Sequence, residues 1–138
     1  MSRIKVVVVS RADAPGFLAK ARQFAAQARS AMNSAHHDAA LLNAVHAAIS
    51  GADAVAVAIG GRRSADPDHL RVADLLDELA DDVEGMKVRT KQLRALLKKK
   101  HSVAYEARPT TAREAMDGVE RSERFVQWAA QVVESTKL

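Results

Sequence analysis

The sequence predicts an all-α protein, an up-and-down antiparallel bundle of about five helices. Three observations carry this. Alanine fills 28 of the 138 positions, and alanine loses no side-chain entropy in a helix. Glycine and proline are scarce, at six and three residues, so helices are rarely interrupted. Apolar residues recur every three or four positions through most of the chain, the period of one helix face. Aromatic residues make up only 4%. That argues against a β-sandwich or barrel, which would need β-branched and aromatic runs closed by frequent turns.

The elements follow in order. Residues 1–12 (MSRIKVVVVSRA) stand apart as an apolar N-terminal arm. A short strand, an arm covering a partner and a frayed end all fit them, and a frayed end is the plainest. Residues 13–138 form the bundle. Asp13 can cap the first helix, with Pro15 in its first turn. Phe17, Ala21, Phe24 and Ala28 mark its apolar face. Ser34 can cap the second helix, which is apolar round much of its circumference and ends at Gly60-Gly61. Asp66-Pro67 is a start signal for the third helix, whose face carries Val72, Leu76, Leu79 and Val83. Gly85 either breaks that helix or sits inside it, before a segment carrying Leu93, Leu96 and Leu97. Residues 101–109 read as the last connection. Thr111 and Glu114 have capping-box spacing, and the face Ala115, Val119, Ser122, Val126, Ala129 and Val133 continues to the C-terminus.

Composition limits the chemistry. The chain lacks cysteine, which excludes thiolate zinc sites, a Cys nucleophile and disulfides, and suits a reducing cytoplasm. No uninterrupted apolar run reaches the roughly 18 residues of a membrane span, so no membrane role is expected and a cytoplasmic location is. The net charge is +4, a mild lean towards polyanions. No phosphate-cradling glycine loop, nucleophile elbow or paired carboxylates of defined geometry are present. His36, His37 and His46 lack ligand spacing, so capping and surface roles are expected of them, a cap or bundle contact is expected of His69, and neither metal nor cofactor is expected.

Charge is sharply segregated. Six acidic residues and no basic one fall between Asp74 and Glu84. Seven basic residues and no acidic one then fall between Lys87 and Lys100: Lys87, Arg89, Lys91, Arg94, Lys98, Lys99 and Lys100. A solvated helix face answered by the acidic stretch and a ridge for phosphates explain this about equally well. His101 follows directly, and Tyr105, the one tyrosine, lies in the connection. Cations, imidazole and phenol together can bind a phosphate, stabilise a pentavalent phosphorus and move a proton.

The stretch LRALLKKKHSVAYEARPTTAREAMDGVERSERFVQWA resembles the last third of HEPN-domain proteins, and LLNAVHAAISGADAVAVAIGGRRSADPDHLRVADLL resembles their second helix, loop and third helix. The family mark is an Arg, four to six residues, then a His, between two late helices; one branch has Tyr in the His place. Lys100 and Tyr105 have the four-residue gap in the expected connection, with Lys for Arg and Tyr for His. Arg94 and His101 have a six-residue gap with the standard residue types. The place of Lys100–Tyr105 just before Pro109 and the final helix favours that alignment. Lys lacks the bidentate fork of Arg, which weakens phosphate clamping.

The resemblance implies a toxin-type protein of a toxin–antitoxin pair that acts on RNA as a metal-independent endoribonuclease, or binds it. His101 or Tyr105 would handle the proton, Lys100 and Arg94 the developing charge, and Lys91, Lys98 and Lys99 the flanking phosphates. The competing expectation is a non-catalytic dimeric interaction module that binds a partner protein or nucleotide. A nucleotidyltransferase-type partner and a homodimer are further implications. The apolar helix at 39–59, with Phe125 and Trp128, adds to the dimer expectation, because it exceeds what a bundle this small is expected to bury.

Overall fold

The computed structural model describes residues 3–79 and 83–138. Among them are helices α1 (Ala14–Asn33), α2 (His37–Gly60), α3 (Arg71–Leu79), α4 (Met86–Leu97), α5 (Lys100–Tyr105) and α6 (Ala112–Ser135), with strands β1 (Val6–Val8) and β2 (Arg62–Ser64). The all-α bundle is the fold, with one small two-stranded sheet added. Val6–Val8, where strand, arm and frayed end were all open, form a strand paired antiparallel to β2, with Val7 opposite Arg63.

The core is built on α2. Its alanines and valines are buried from Ala44 to Ala58, and α1 and α6 pack along it. By length and mean hydropathy (1.5) α2 could cross a membrane, yet 61% of that window is buried inside the bundle. Counting uninterrupted apolar runs misses this feature. The polar residues Asn43, His46, Ser50 and Asp53 recur at three- and four-residue spacing and form a half-buried stripe along α2, as 3.6 residues per turn requires. Phe125 and Trp128 are 2% and 7% exposed, their rings 5.5 Å apart. One chain therefore buries the apolar surplus that the sequence set aside for a second copy.

Contacts fix the directions. Arg22 pairs with Glu134 and Arg29 with Glu123, so α1 runs antiparallel to α6. Gly118 sits on Leu41, and Gly51 on Phe125 and Ala129, so α6 runs parallel to α2. Leu79, ending α3, packs on Gly60, ending α2, because the connection 61–70 first folds back along α2. Arg11 ties the N-terminal segment down, donating to the carbonyls of Ala58 at 2.8 Å and Lys137 at 2.9 Å.

Local signals hold in part. Thr111 and Glu114 form the capping box, and Gly61 ends α2 in the left-handed region at φ 63°. Gly85, at φ 80°, is the residue before α4 and separates it from α3. Ser34 does not cap α2: the chain turns through Ala35 at φ 58°, and α2 begins at His37. Nor does α3 begin at Pro67. Asp66 accepts the amide of Asp68 and Asp68 that of Leu70, both at 3.0 Å, so the two side chains hold turns and helix starts only at Arg71. Residues 101–105 are not a connection but most of α5. Asp81 and Asp82 of the acidic stretch lie outside the described residues.

Candidate functional site

Leu93, Leu96 and Leu97 are buried and fix the end of α4. Lys98 and Lys99 turn the chain into α5, which packs on α2 yet buries none of its own residues. On α5 the i, i+4 spacing stacks His101 and Tyr105, with ring centroids 5.3 Å apart at 48°. Opposite them stands the turn 67–70, held by the two aspartate bonds already described. Between the walls lies an open cleft of about 420 Å³, lined by Lys98, Lys100, His101 and Tyr105 on one side and Asp68 and His69 on the other.

The electrostatics centre on Lys100. Burial depresses the pKa of His69, and the Lys100 cation and His46 depress it further, against the opposing Asp68. Burial and then Lys100 depress that of His46, whose ring lies 5.6 Å from Phe24 on α1. Lys100 thus couples α5 to an imidazole on α2 and to one in the turn. Both imidazoles are biased towards the neutral form, which can accept a proton. The sequence suggests a capping or surface role for His46 and a cap or bundle contact for His69. Their neighbourhood joins residues tens of positions apart, and no local pattern reports it.

The seven residues singled out in the sequence separate. Lys98, Lys100, His101 and Tyr105 share the cleft. Lys99 lines a smaller concavity of about 200 Å³ on the other side of Lys98, with Ser102, Arg108 and Glu114. There Arg108 donates to Glu114 at 2.9 Å and holds that carboxyl down at about 2. Lys91 is exposed on α4 and lines neither concavity. Arg94 is not brought to His101. Its guanidinium donates to Asp74 at 2.7 Å and Asp77 at 2.5 Å, and it faces a third cavity of about 470 Å³ with Arg3, Arg71 and Glu78. Thr90 donates to the same Asp77 at 2.8 Å. The acidic stretch therefore answers Arg94, while Lys91, Lys98, Lys99 and Lys100 make no ion pair among the described residues. Among those residues no three His, Asp or Glu side chains converge as a metal site.

A helical bundle with a lysine- and imidazole-lined cleft before its last helix defines the class of protein. The family model of the HEPN domain matches residues 14–133, and the chain belongs to that family. HEPN domains commonly dimerise and pair with nucleotidyltransferases. Neither the curated proteins nor the solved structures give a match to this chain.

Proposed function

We propose that the chain is an RNA-directed, toxin-type HEPN protein of the cytoplasm, which uses the α5 cleft for metal-independent endoribonucleolytic cleavage. One observation carries this: imidazoles on two walls of one cleft, His101 and His69, with an unpaired Lys100 beside His101. Cleavage of an RNA phosphodiester needs a base to take the ribose 2′-hydroxyl proton and an acid to protonate the leaving 5′-oxygen. The 2′-oxygen bonds to phosphorus as the bond to the 5′-oxygen breaks, leaving a 2′,3′-cyclic phosphate and a 5′-hydroxyl. His69, biased neutral, suits the base. His101 suits the acid, with Tyr105 as the other donor on its helix. Lys100 and Lys98 stabilise charge building on the phosphoryl oxygens. Lys99 and Lys91 extend the cationic ridge to neighbouring phosphates. A nucleotidyltransferase-type partner and a two-fold dimer belong to the same proposal and rest on the family.

The test is cleavage of an oligoribonucleotide in excess EDTA, with a strand carrying one deoxyribose beside the cleaved bond as control. Cyclic-phosphate product from the first and none at the substituted bond is expected. Binding without cleavage would favour the other reading, a docking module. One feature favours that reading: α5 buries no residue and Tyr105 is 73% exposed, as in an element that another protein covers.

A further inference from the structure

Strand β1 lies outside the residues matched by the HEPN family, and nothing in the proposed chemistry uses it. Its register shows which peptide groups are free. Val7 is paired with Arg63. Ala65 donates to the carbonyl of Lys5 at 2.8 Å, and Val9 to that of Gly61 at 2.9 Å. Residues 5, 7 and 9 therefore turn their peptide groups towards β2. Peptide groups alternate sides along an antiparallel strand, so those of Val6 and Val8 point to the other side. The sheet has two strands only, in the order β1-β2, and no third strand among the described residues meets that edge. The side chains are as unusual as the edge. Val6, Val7 and Val8 are all exposed, Val8 at 85%. Proteins usually blunt such an edge with charge, proline or a covering element; here three successive valines are left bare.

We propose that β1 is a docking edge that takes up an extended, acidic segment of a partner protein as a third strand. The open amides and carbonyls of Val6 and Val8 supply the main-chain bonds, and the valines supply apolar contact for alternate side chains of the segment. Charge selects its sign. The sheet segments 3–9 and 61–64 carry Arg3, Lys5, Arg62 and Arg63 and no carboxylate, so a strand bearing Glu or Asp is complementary. A second copy of this chain is a poorer occupant. Pairing two β1 edges would bring together two segments that both carry Arg3 and Lys5 and no carboxylate, and like charges across an interface repel.

The experiment titrates the 15N-labelled full chain with a synthetic peptide alternating valine and glutamate, and with its valine–lysine counterpart. The acidic peptide is expected to slow amide exchange at Val6 and Val8 by about tenfold or more, with smaller changes at Val7 and Val9, already bonded to the β2 segment. Val8→Pro removes one outward donor and no bond to β2, so it should abolish binding with the melting transition retained. Should that variant unfold, the double charge reversal Arg3→Glu with Lys5→Glu, at two exposed positions, should abolish the preference for the acidic over the lysine peptide. No protection at Val6 and Val8, or equal binding of both peptides by the wild type, would overturn the proposal. Protection without peptide, growing with protein concentration and with a doubled mass in light scattering, would assign the edge to a second copy instead.

Discussion

Asp53 offers the most quantitative test of the structure. It sits half-buried on α2, inside the otherwise apolar core helix, and makes no hydrogen bond among the described residues. Burial pushes its carboxyl up from 3.8 to about 7, with Arg63 pulling partly the other way. The sign follows from linkage. The folded chain holds this proton more tightly than the unfolded chain does. The associated stability is therefore fully present below the unfolded value and is lost as pH rises through the folded one. A shift of roughly three units at about 1.4 kcal/mol each sets a ceiling of about 4 kcal/mol, of which about 2–3 kcal/mol falls between about pH 5 and pH 8. Asp53→Asn keeps the shape and cannot ionise, so it escapes this cost. His46 and His69 act oppositely. Their folded values are depressed, so they lose stability as pH falls below the ordinary imidazole range. They are present in both proteins and cancel in the difference. Urea unfolding, followed by fluorescence of the buried Trp128, should show the variant gaining on the wild type by about 2–3 kcal/mol from about pH 5 to pH 8. A difference that stays constant with pH would refute the reasoning, since it would mean the carboxyl is solvated well enough to ionise normally.

Three further outcomes are expected. Gly51→Ala adds a methyl at ordinary contact, 3.5 Å from Phe125 and 3.7 Å from Ala129, and should stabilise by about 0.5–1 kcal/mol through helix propensity. Gly118→Ala would drive its methyl into Leu41 and should cost about 1–3 kcal/mol; thermal unfolding of both variants checks the pair. In the cleavage assay His101→Ala and His69→Ala should each lose about 100- to 10,000-fold, Tyr105→Phe less, and Arg94→Ala least, because Arg94 is spent on Asp74 and Asp77. Reversing Lys98, Lys99 and Lys100 to Glu should weaken RNA binding and flatten its dependence on log salt by about 2, the loss of roughly three phosphate contacts to a single strand; an unchanged slope would assign these lysines to solubility.

The parts of the fold visible in the sequence are those with local causes. The capping box at Thr111, the left-handed Gly61 and the buried face of α6 each follow from residues a few positions apart. The parts that escaped lack such a signature. Strand β1 pairs with Arg62–Ser64, a segment with no strand propensity to announce it. Helix α5 has six residues and no buried face, so it has no hydrophobic period to detect. Asp66 looked like a helix cap because the side chain that caps a helix also holds a turn. The cleft was half legible: Lys98, Lys100, His101 and Tyr105 lie together in the chain, whereas His69 reaches them only through the path of the connection 61–70.

That path also divides the basic run into two parts. Helices α3 and α4 lie antiparallel, with Asp74 and Asp77 against Arg94 and Thr90. In such a pair, residues further along one helix meet residues earlier in the other. The continuation of α4 beyond Arg94 therefore passes the start of α3 and the turn before it, not the acidic stretch. Neutralisation stops where the carboxylates stop. Within the cleft, Lys98 and Lys100 face one carboxylate, Asp68, and one imidazole, His69, on the opposite wall. Within the basic run the acidic stretch pairs with Arg94. The segregation visible in the sequence is thus two features in series, a structural clamp at Arg94 followed by a cationic cleft wall from Lys98. A phosphate arriving at that wall competes with a single acid rather than with six.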